Sequence, residues 1–303
     1  MKKYIILIAI IPISISSFAC EICGCGVGNF YMGILPHFKK GFIGVRYHYT
    51  TYHTVMADDA TQYSYDYFKS TELWGGINIG KKMQLLAFAP YNFNKQVGDD
   101  GITKTDGLGD ITLLANYKFF NHTKLFKNKK IEQSLFIGGG FKLPTGKFNA
   151  DVSDPMMVAA STVNTQIGSG SFDFLLNTMY NVKWNKFGVN TSATYKINTT
   201  NSSTVKYGNK AIVNATAFYN IGSNDLIVSP NAGLLYENIA VNLNNGKTIA
   251  STGGQALLAT VGVQVKFDKF SVGANFNIPL SQNYSDNQTK IQSKGTLQFN
   301  FAL

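Results

Sequence analysis

Apolar and polar side chains alternate along most of the chain, in segments of about ten residues. From Leu257 to Phe267, the side chains Leu257, Ala259, Val261, Val263, Val265 and Phe267 share one face, while Leu258, Thr260, Gly262, Gln264 and Lys266 share the other. A period of two is the signature of a strand. A run of about ten residues suits a tilted strand crossing hydrocarbon, whereas strands of water-soluble sheets usually stop at about five or six. The pattern predicts an all-β fold, a transmembrane antiparallel up-and-down β-barrel with its apolar faces outside and its wet faces inside.

Twelve segments carry this pattern: Gly41 to Thr50, Ser70 to Ile79, Met83 to Asn94, Gly107 to Phe120, Gln133 to Pro144, Ser171 to Val182, Phe187 to Ile197, Tyr207 to Ile221, Leu226 to Tyr236, Gln255 to Phe267, Phe270 to Pro279 and Lys290 to Leu303. An even count places both ends of the barrel on the periplasmic side. Tight connections at Gly80-Lys81-Lys82, Asn185-Lys186, Ser223-Asn224 and Asp268-Lys269 take turns with long ones, such as Thr51 to Phe68 and Thr145 to Gly170. Asn121 to Glu132 breaks that alternation. Short periplasmic turns and longer extracellular loops fix the direction of every strand.

The first nineteen residues read as an export signal: the basic start Met1-Lys2-Lys3, the apolar run Tyr4 to Ile15, and small Ser17 and Ala19 before a cleavage point. The expected organisation is therefore a signal peptide at 1–19, a cysteine-containing segment at 20–40 and a barrel at 41–303. No later segment reaches eighteen consecutive apolar residues, which leaves the barrel as the way to span a bilayer. Together these point to the outer membrane of a Gram-negative bacterium.

Charge and composition narrow the function classes. Only 15% of residues are charged, and the formal charge of +10 falls to +8 when Lys2 and Lys3 leave with the signal. The lysines form no run or stripe, so nucleic acid is not expected as a partner. Four histidines, His37, His48, His53 and His122, are present without a catalytic setting, although His48 and His53 lie near the Asp58-Asp59 loop as a candidate metal or triad pair. No enzymatic activity is expected.

The alternation places Arg46, Lys118, Lys142, Lys196, Lys266 and Lys294 in the lumen against Asp110, Asp173 and Glu237. This positive excess predicts a weak anion preference if the barrel conducts. A lumen enclosed by twelve strands is narrow, and an inward loop such as Thr145 to Gly170 would block it. Tyr91, Tyr117, Tyr180, Tyr195, Tyr219 and Tyr236 fall near strand ends, as an aromatic girdle requires.

Three local sequences exceed generic strand character: Gly107-Leu108-Gly109-Asp110-Ile111, Lys142-Leu143-Pro144-Thr145-Gly146 and Gly168-Ser169-Gly170-Ser171-Phe172-Asp173. Their glycines suit close backbone approach at the rim, Pro144 suits a strand end, and Asp110 and Asp173 are placed to pair with Lys118 or Lys142. In this order and spacing the motifs resemble the phenol-degradation meta-pathway family of outer-membrane proteins. That resemblance implies a small exported barrel transporting aromatic or hydrophobic compounds. The expected function is an outer-membrane channel or transporter for a small aromatic or anionic solute, with membrane lipid and that solute as partners.

Cys20, Cys23 and Cys25 form a C-x-x-C-x-C cluster, with Met32 and His37 just beyond. Three readings stay open: a disulfide in an oxidising envelope, a lipid anchor on Cys20, or a soft-metal site for copper or zinc on Cys20, Cys23, Cys25 and His37. The last defines an alternative function, a metal-binding outer-membrane protein. Attached haem is excluded because no histidine follows Cys23-Gly24.

Overall fold

A computed structural model describes residues 40–303, apart from residues 58, 100, 127–128, 150–162, 164 and 224. The expected signal peptide and Cys20, Cys23, Cys25 and His37 therefore lie outside the described residues. Twelve wall strands follow one another: β1 Gly41–Val55, β2 Tyr63–Ile79, β3 Met83–Gly98, β4 in two segments (Gly101–Leu108 and Thr112–Phe126), β5 Lys129–Lys142, β6 Asp173–Trp184, β7 Phe187–Ile197, β8 Lys210–Tyr219, β9 Leu226–Ile239, β10 Gly254–Phe267, β11 Phe270–Tyr284 and β12 Thr289–Ala302. Each pairs antiparallel with its sequence neighbours, and β1 pairs with β12, so the sheet closes on itself. Closure leaves no edge with unpaired backbone groups, which is the condition for a sheet to stand in hydrocarbon.

The two faces sort as the alternation dictates. Along β7, Gly188, Asn190, Ser192, Thr194 and Lys196 are buried inside while Phe187 and Tyr195 are exposed outside. Val261 and Val263 of β10, and Leu297 and Phe299 of β12, face outward, and the six girdle tyrosines are all exposed. An even-stranded closed barrel with an apolar belt is the form of Gram-negative outer-membrane proteins, and this protein is one. Among the described residues no helix is long and apolar enough to cross a membrane.

The strands run further than the hydrophobic pattern. Thr51 to Val55, Tyr63 to Phe68, Lys95 to Gly98 and Gly101 to Asp106, expected in loops, continue the ladder beyond the membrane. Hairpin pairing satisfies their backbone groups wherever the strands stay adjacent, and polar side chains on the ladder then cost nothing in water. Asn121 to Glu132 is corrected in the same way: β4 runs to Phe126 and β5 starts at Lys129, with Asn121 opposite Ser134. The apparent break in the alternation of connections was strand. At the tight turns, Asn185 and Asp268 adopt φ of 56° and 48°, a left-handed conformation those residue types tolerate.

β4 is interrupted for a reason visible in β3. Pro90 offers no N–H to the ladder, and the partner strand leaves its register there, with Gly109 N–H donating to Pro90 O at 2.8 Å. A Cβ at Gly109 would lie 2.6 Å from Asn92 Nδ2, so a larger residue would displace the amide that donates to Ile167 O. The break turns Asp110 into the interior, where it is buried.

Candidate functional site in the barrel lumen

The three sequence motifs meet in one buried polar knot. Lys142, at the end of β5, places Nζ 2.5 Å from Asp110 Oδ2 and 3.0 Å from Asp173 Oδ2. Its ammonium also donates to Ser169 Oγ and, at 3.1 Å, to Ser171 O. Asp110 accepts from Gly146 N and Ser169 N, each at 2.9 Å, and Asp173 accepts from Ser171 Oγ at 2.8 Å and Thr199 N at 3.0 Å. Burial of three charges is tolerated because every one is paired and hydrogen-bonded. Gly146 and Gly168 cross at backbone contact, where a Cβ on Gly146 would lie 2.7 Å from Gly168 Cα. Lys118, the other candidate partner, points elsewhere: its Nζ lies 5.3 Å from the Phe136 ring centroid, beside a register shift between Lys118 and Phe120.

The knot anchors the segment between β5 and β6 inside the barrel. Ile167 O accepts from Asn92 Nδ2 at 3.1 Å, Thr165 O from Thr105 Oγ1 at 2.8 Å, and Val163 O from Tyr207 Oη at 2.8 Å. Val163 and Ile167 are buried. The expected inward loop is thus present in its described part and narrows the extracellular mouth.

Deeper in the lumen a polar ladder crosses from strand to strand. Asn116 Nδ2 donates to Gln84 Oε1 at 3.2 Å, Asn177 Nδ2 to Asn116 Oδ1 at 3.0 Å, and Thr194 Oγ1 to Asn177 Oδ1 at 3.1 Å. Asn116 and Asn177 reach each other because Gly138, between them on β5, has no side chain. A Cβ there would collide with Asn116 Oδ1 and Ala115 O.

Apolar layers interrupt this polar lining, so the wet inner face expected from the alternation is wet only in part. Tyr52, Phe68, Ile212, Leu235, Leu258, Tyr284 and Ile291 form one buried cluster that joins β1 and β2 to β8 on the opposite wall. Phe42, Trp74, Leu86, Phe88, Leu114, Leu175 and Met179 form a second on the β1 to β6 side. Periodicity assigns a side chain to a face, but in a narrow barrel inward side chains from opposite walls touch and cover one another. Arg46 lies on the second cluster, its guanidinium carbon 4.2 Å from the Trp74 ring centroid and 5.2 Å from that of Phe88. Glu72 accepts from Arg46 Nε at 2.8 Å. Among the described residues the buried Trp74 Nε1–H has no hydrogen-bond partner.

Three of the six cations assigned to the lumen, Arg46, Lys142 and Lys294, are held by carboxylates. Arg46 pairs with Glu72 and Lys142 with Asp110 and Asp173. Glu237 Oε2 lies 2.8 Å from Lys294 Nζ and 3.9 Å from Lys210 Nζ, while its other oxygen accepts from Tyr284 Oη. Lys196, also buried, is the cross-strand partner of Lys210. Lys266 sits half-buried near the periplasmic turns, opposite Ser271 and Ile227. Glu72 and Lys210 were missed from the sequence, although strict alternation from Phe68 through Trp74 puts Glu72 on the inward face. With buried Asp66 included, these carboxylates reduce the positive excess behind an anion preference without cancelling it.

The remaining candidates separate. His48 is inward and buried, with Nδ1 3.2 Å from Thr296 Oγ1 and Nε2 3.8 Å from Glu72 Oε1. His53 is outward and stacks on Tyr65 at 4.3 Å between ring centroids. The two histidines lie on opposite faces and cannot share a metal or a triad. Among the described residues no group of three or more histidines, cysteines, aspartates or glutamates is arranged to hold a metal ion. A concavity of about 720 Å³ over Gly75, Ala87, Ala115 and Gly139 lies outside the wall. Its rim residues Ile43, Leu73 and Ile77 are exposed to the bilayer, so hydrocarbon fills it.

Similarity to known structures follows the barrel. An outer membrane channel of Pseudomonas putida F1 matches over 89% of this chain and 98% of its own, at 16% identity and a TM-score of 0.60. The β-domain of the Bordetella autotransporter BrkA matches over 88% of this chain and all of its own, at 10% identity and a TM-score of 0.50. These likenesses establish the fold. No curated protein sequence matches the chain. The family model described as "Putative MetA-pathway of phenol degradation" matches residues 49–301, and the chain belongs to that family of outer-membrane β-barrels.

Proposed function

We propose that this barrel is an outer-membrane channel that passes a small aromatic solute bearing an oxygen substituent, without catalysis. The observation that carries the reading is the second apolar layer: aromatic rings of Phe42, Trp74 and Phe88 facing inward, with a cation on the rings and an unused Trp74 Nε1–H donor beside them. A water-filled conduit for polar solutes has no use for such a layer. Apolar constrictions exclude water and ions by dewetting. An aromatic solute can replace the contacts these side chains make with one another, and a phenolic or carboxylate oxygen can take up the free donor. The family's description, which names phenol degradation, points to the same solute class. The Pseudomonas relative of like fold is itself an outer membrane channel. Anionic character is secondary, since the cations nearest the aromatic layer and the knot, Arg46 and Lys142, are already paired with carboxylates.

The test is solute selection in liposomes. Protein-containing liposomes should take up benzoate, at a pH where it is ionised, faster than empty ones and faster than an aliphatic acid of similar size. Trp74→Phe, which keeps a ring and removes the donor, should lower benzoate uptake. Equal rates for aromatic and aliphatic acids would refute the aromatic assignment.

A further inference from the structure

We infer that the outer face of the extracellular rim, over β12 and β1 to β4, is a binding surface for a phosphorylated glycolipid of the outer leaflet. Three lysines converge there. Lys95 of β3 and Lys104 of β4 are direct cross-strand partners, and Lys69 of β2 is diagonal to Lys95, whose partner on β2 is Tyr67. All three alternate with inward residues and therefore point out of the wall. Like charges directly opposite each other on a sheet repel. Among the described residues, no carboxylate lies within ion-pair distance of any of the three. Asp106, on the same face, is engaged by Tyr91 Oη at 3.0 Å. Lys290, the cross-strand partner of His53, extends the basic surface along the row above.

The surroundings select the partner. Lys69 Nζ lies 5.7 Å from the Tyr49 ring centroid and Lys95 Nζ 5.8 Å from that of Tyr67, so the cations are held against the wall by rings. Immediately below come exposed Tyr47, Tyr91 and Phe93, and then the lipid-facing Val45, Leu73, Leu297 and Phe299. Cations above, rings between and aliphatic side chains below form the complement of an amphiphile with an anionic phosphate head and acyl chains. A free phosphate ion would use the first feature alone. Elsewhere the outward wall positions near the rim include uncharged Phe174, Tyr195, Tyr236 and Leu280, while exposed Lys147 and Lys247 stand apart in the connecting segments.

Binding of bisphosphorylated lipid A to the full-length protein in detergent tests this. The variant K69Q/K95Q/K104Q should lose about ten-fold in affinity, as expected for three exposed charge pairs. A control at the periplasmic turns, K81Q/K82Q/K269Q, should bind as the parent does. Dephosphorylated lipid should bind about ten-fold more weakly than the parent lipid, and inorganic phosphate at the same concentration should not displace it. Equal loss in both triple variants, unchanged binding in K69Q/K95Q/K104Q, or equal affinity for dephosphorylated lipid would overturn the inference. Displacement by inorganic phosphate would reduce the surface to a simple anion site and overturn it as well. Heat-modifiable migration confirms folding of each variant; should the triple variant fail that check, Lys95→Gln and Lys104→Gln singly carry the test, each with a loss of about three-fold.

Discussion

Lys142 shows how one side chain can fix a region. Its ammonium joins Asp110 and Asp173, and through Ser169 it ties down the segment between β5 and β6. Lys142→Met would leave two buried carboxylates without their counter-charge, at a cost of about 3–5 kcal/mol. Lys118→Met, at a half-buried position outside this network, should stay within about 0.5 kcal/mol. Urea titration of refolding in lipid vesicles measures both, and equal stability would show that the knot holds nothing. Gly138→Ala should cost about 1–3 kcal/mol, because the added methyl enters the space through which Asn116 and Asn177 meet. The motifs were legible as glycine-rich rim sequences with an inward aspartate. Which of Lys118 and Lys142 would pair could not be read, because the choice depends on a register shift between Lys118 and Phe120 that leaves no mark in the alternation.

At the scale of strands, the hydrophobic pattern determined the count, the faces and the tight turns, since hydrocarbon on one side enforces the period of two between bulges such as those at Lys118/Phe120 and Leu257/Leu258. Val263→Arg should cost about 2–4 kcal/mol at the midplane. Gln264→Arg, one residue on and facing the lumen beside Gly273 and Ser229, should cost distinctly less. Equal losses in a lipid refolding titration would place the register out by one. Strand ends were not legible, because above the membrane water makes no demand on either face: Thr51 to Val55 and Tyr63 to Phe68 read as a loop yet pair residue by residue. Pairing of β1 with both β2 and β12 closes the wall from Gly41 onward. Deletion of Cys20 to Met32 should therefore leave a heat-modifiable, protease-resistant barrel in outer-membrane fractions. Loss of insertion would make the cysteine segment part of the fold.

At the scale of the whole molecule, the barrel is a closed wall around a lumen in which polar ladders and ion pairs alternate with apolar layers. The sequence indicated a polar interior because alternation separates faces and says nothing of how inward side chains meet across a narrow space. Phe68 and Ile212 come from opposite walls and distant parts of the chain, and only closure brings them together. The curvature of the wall likewise pairs Glu237 with Lys294 over two intervening strands. In the proposed function these layers are what selects an apolar ring. Whether aromatic solutes cross through this lumen is decided by the rate of benzoate entry into liposomes with and without the protein. Entry should be faster with the protein, and Trp74→Phe should reduce it in a barrel that still shows heat-modifiable migration. Entry no faster than into empty liposomes, for benzoate and for every other small aromatic tried, would contradict passage through the barrel.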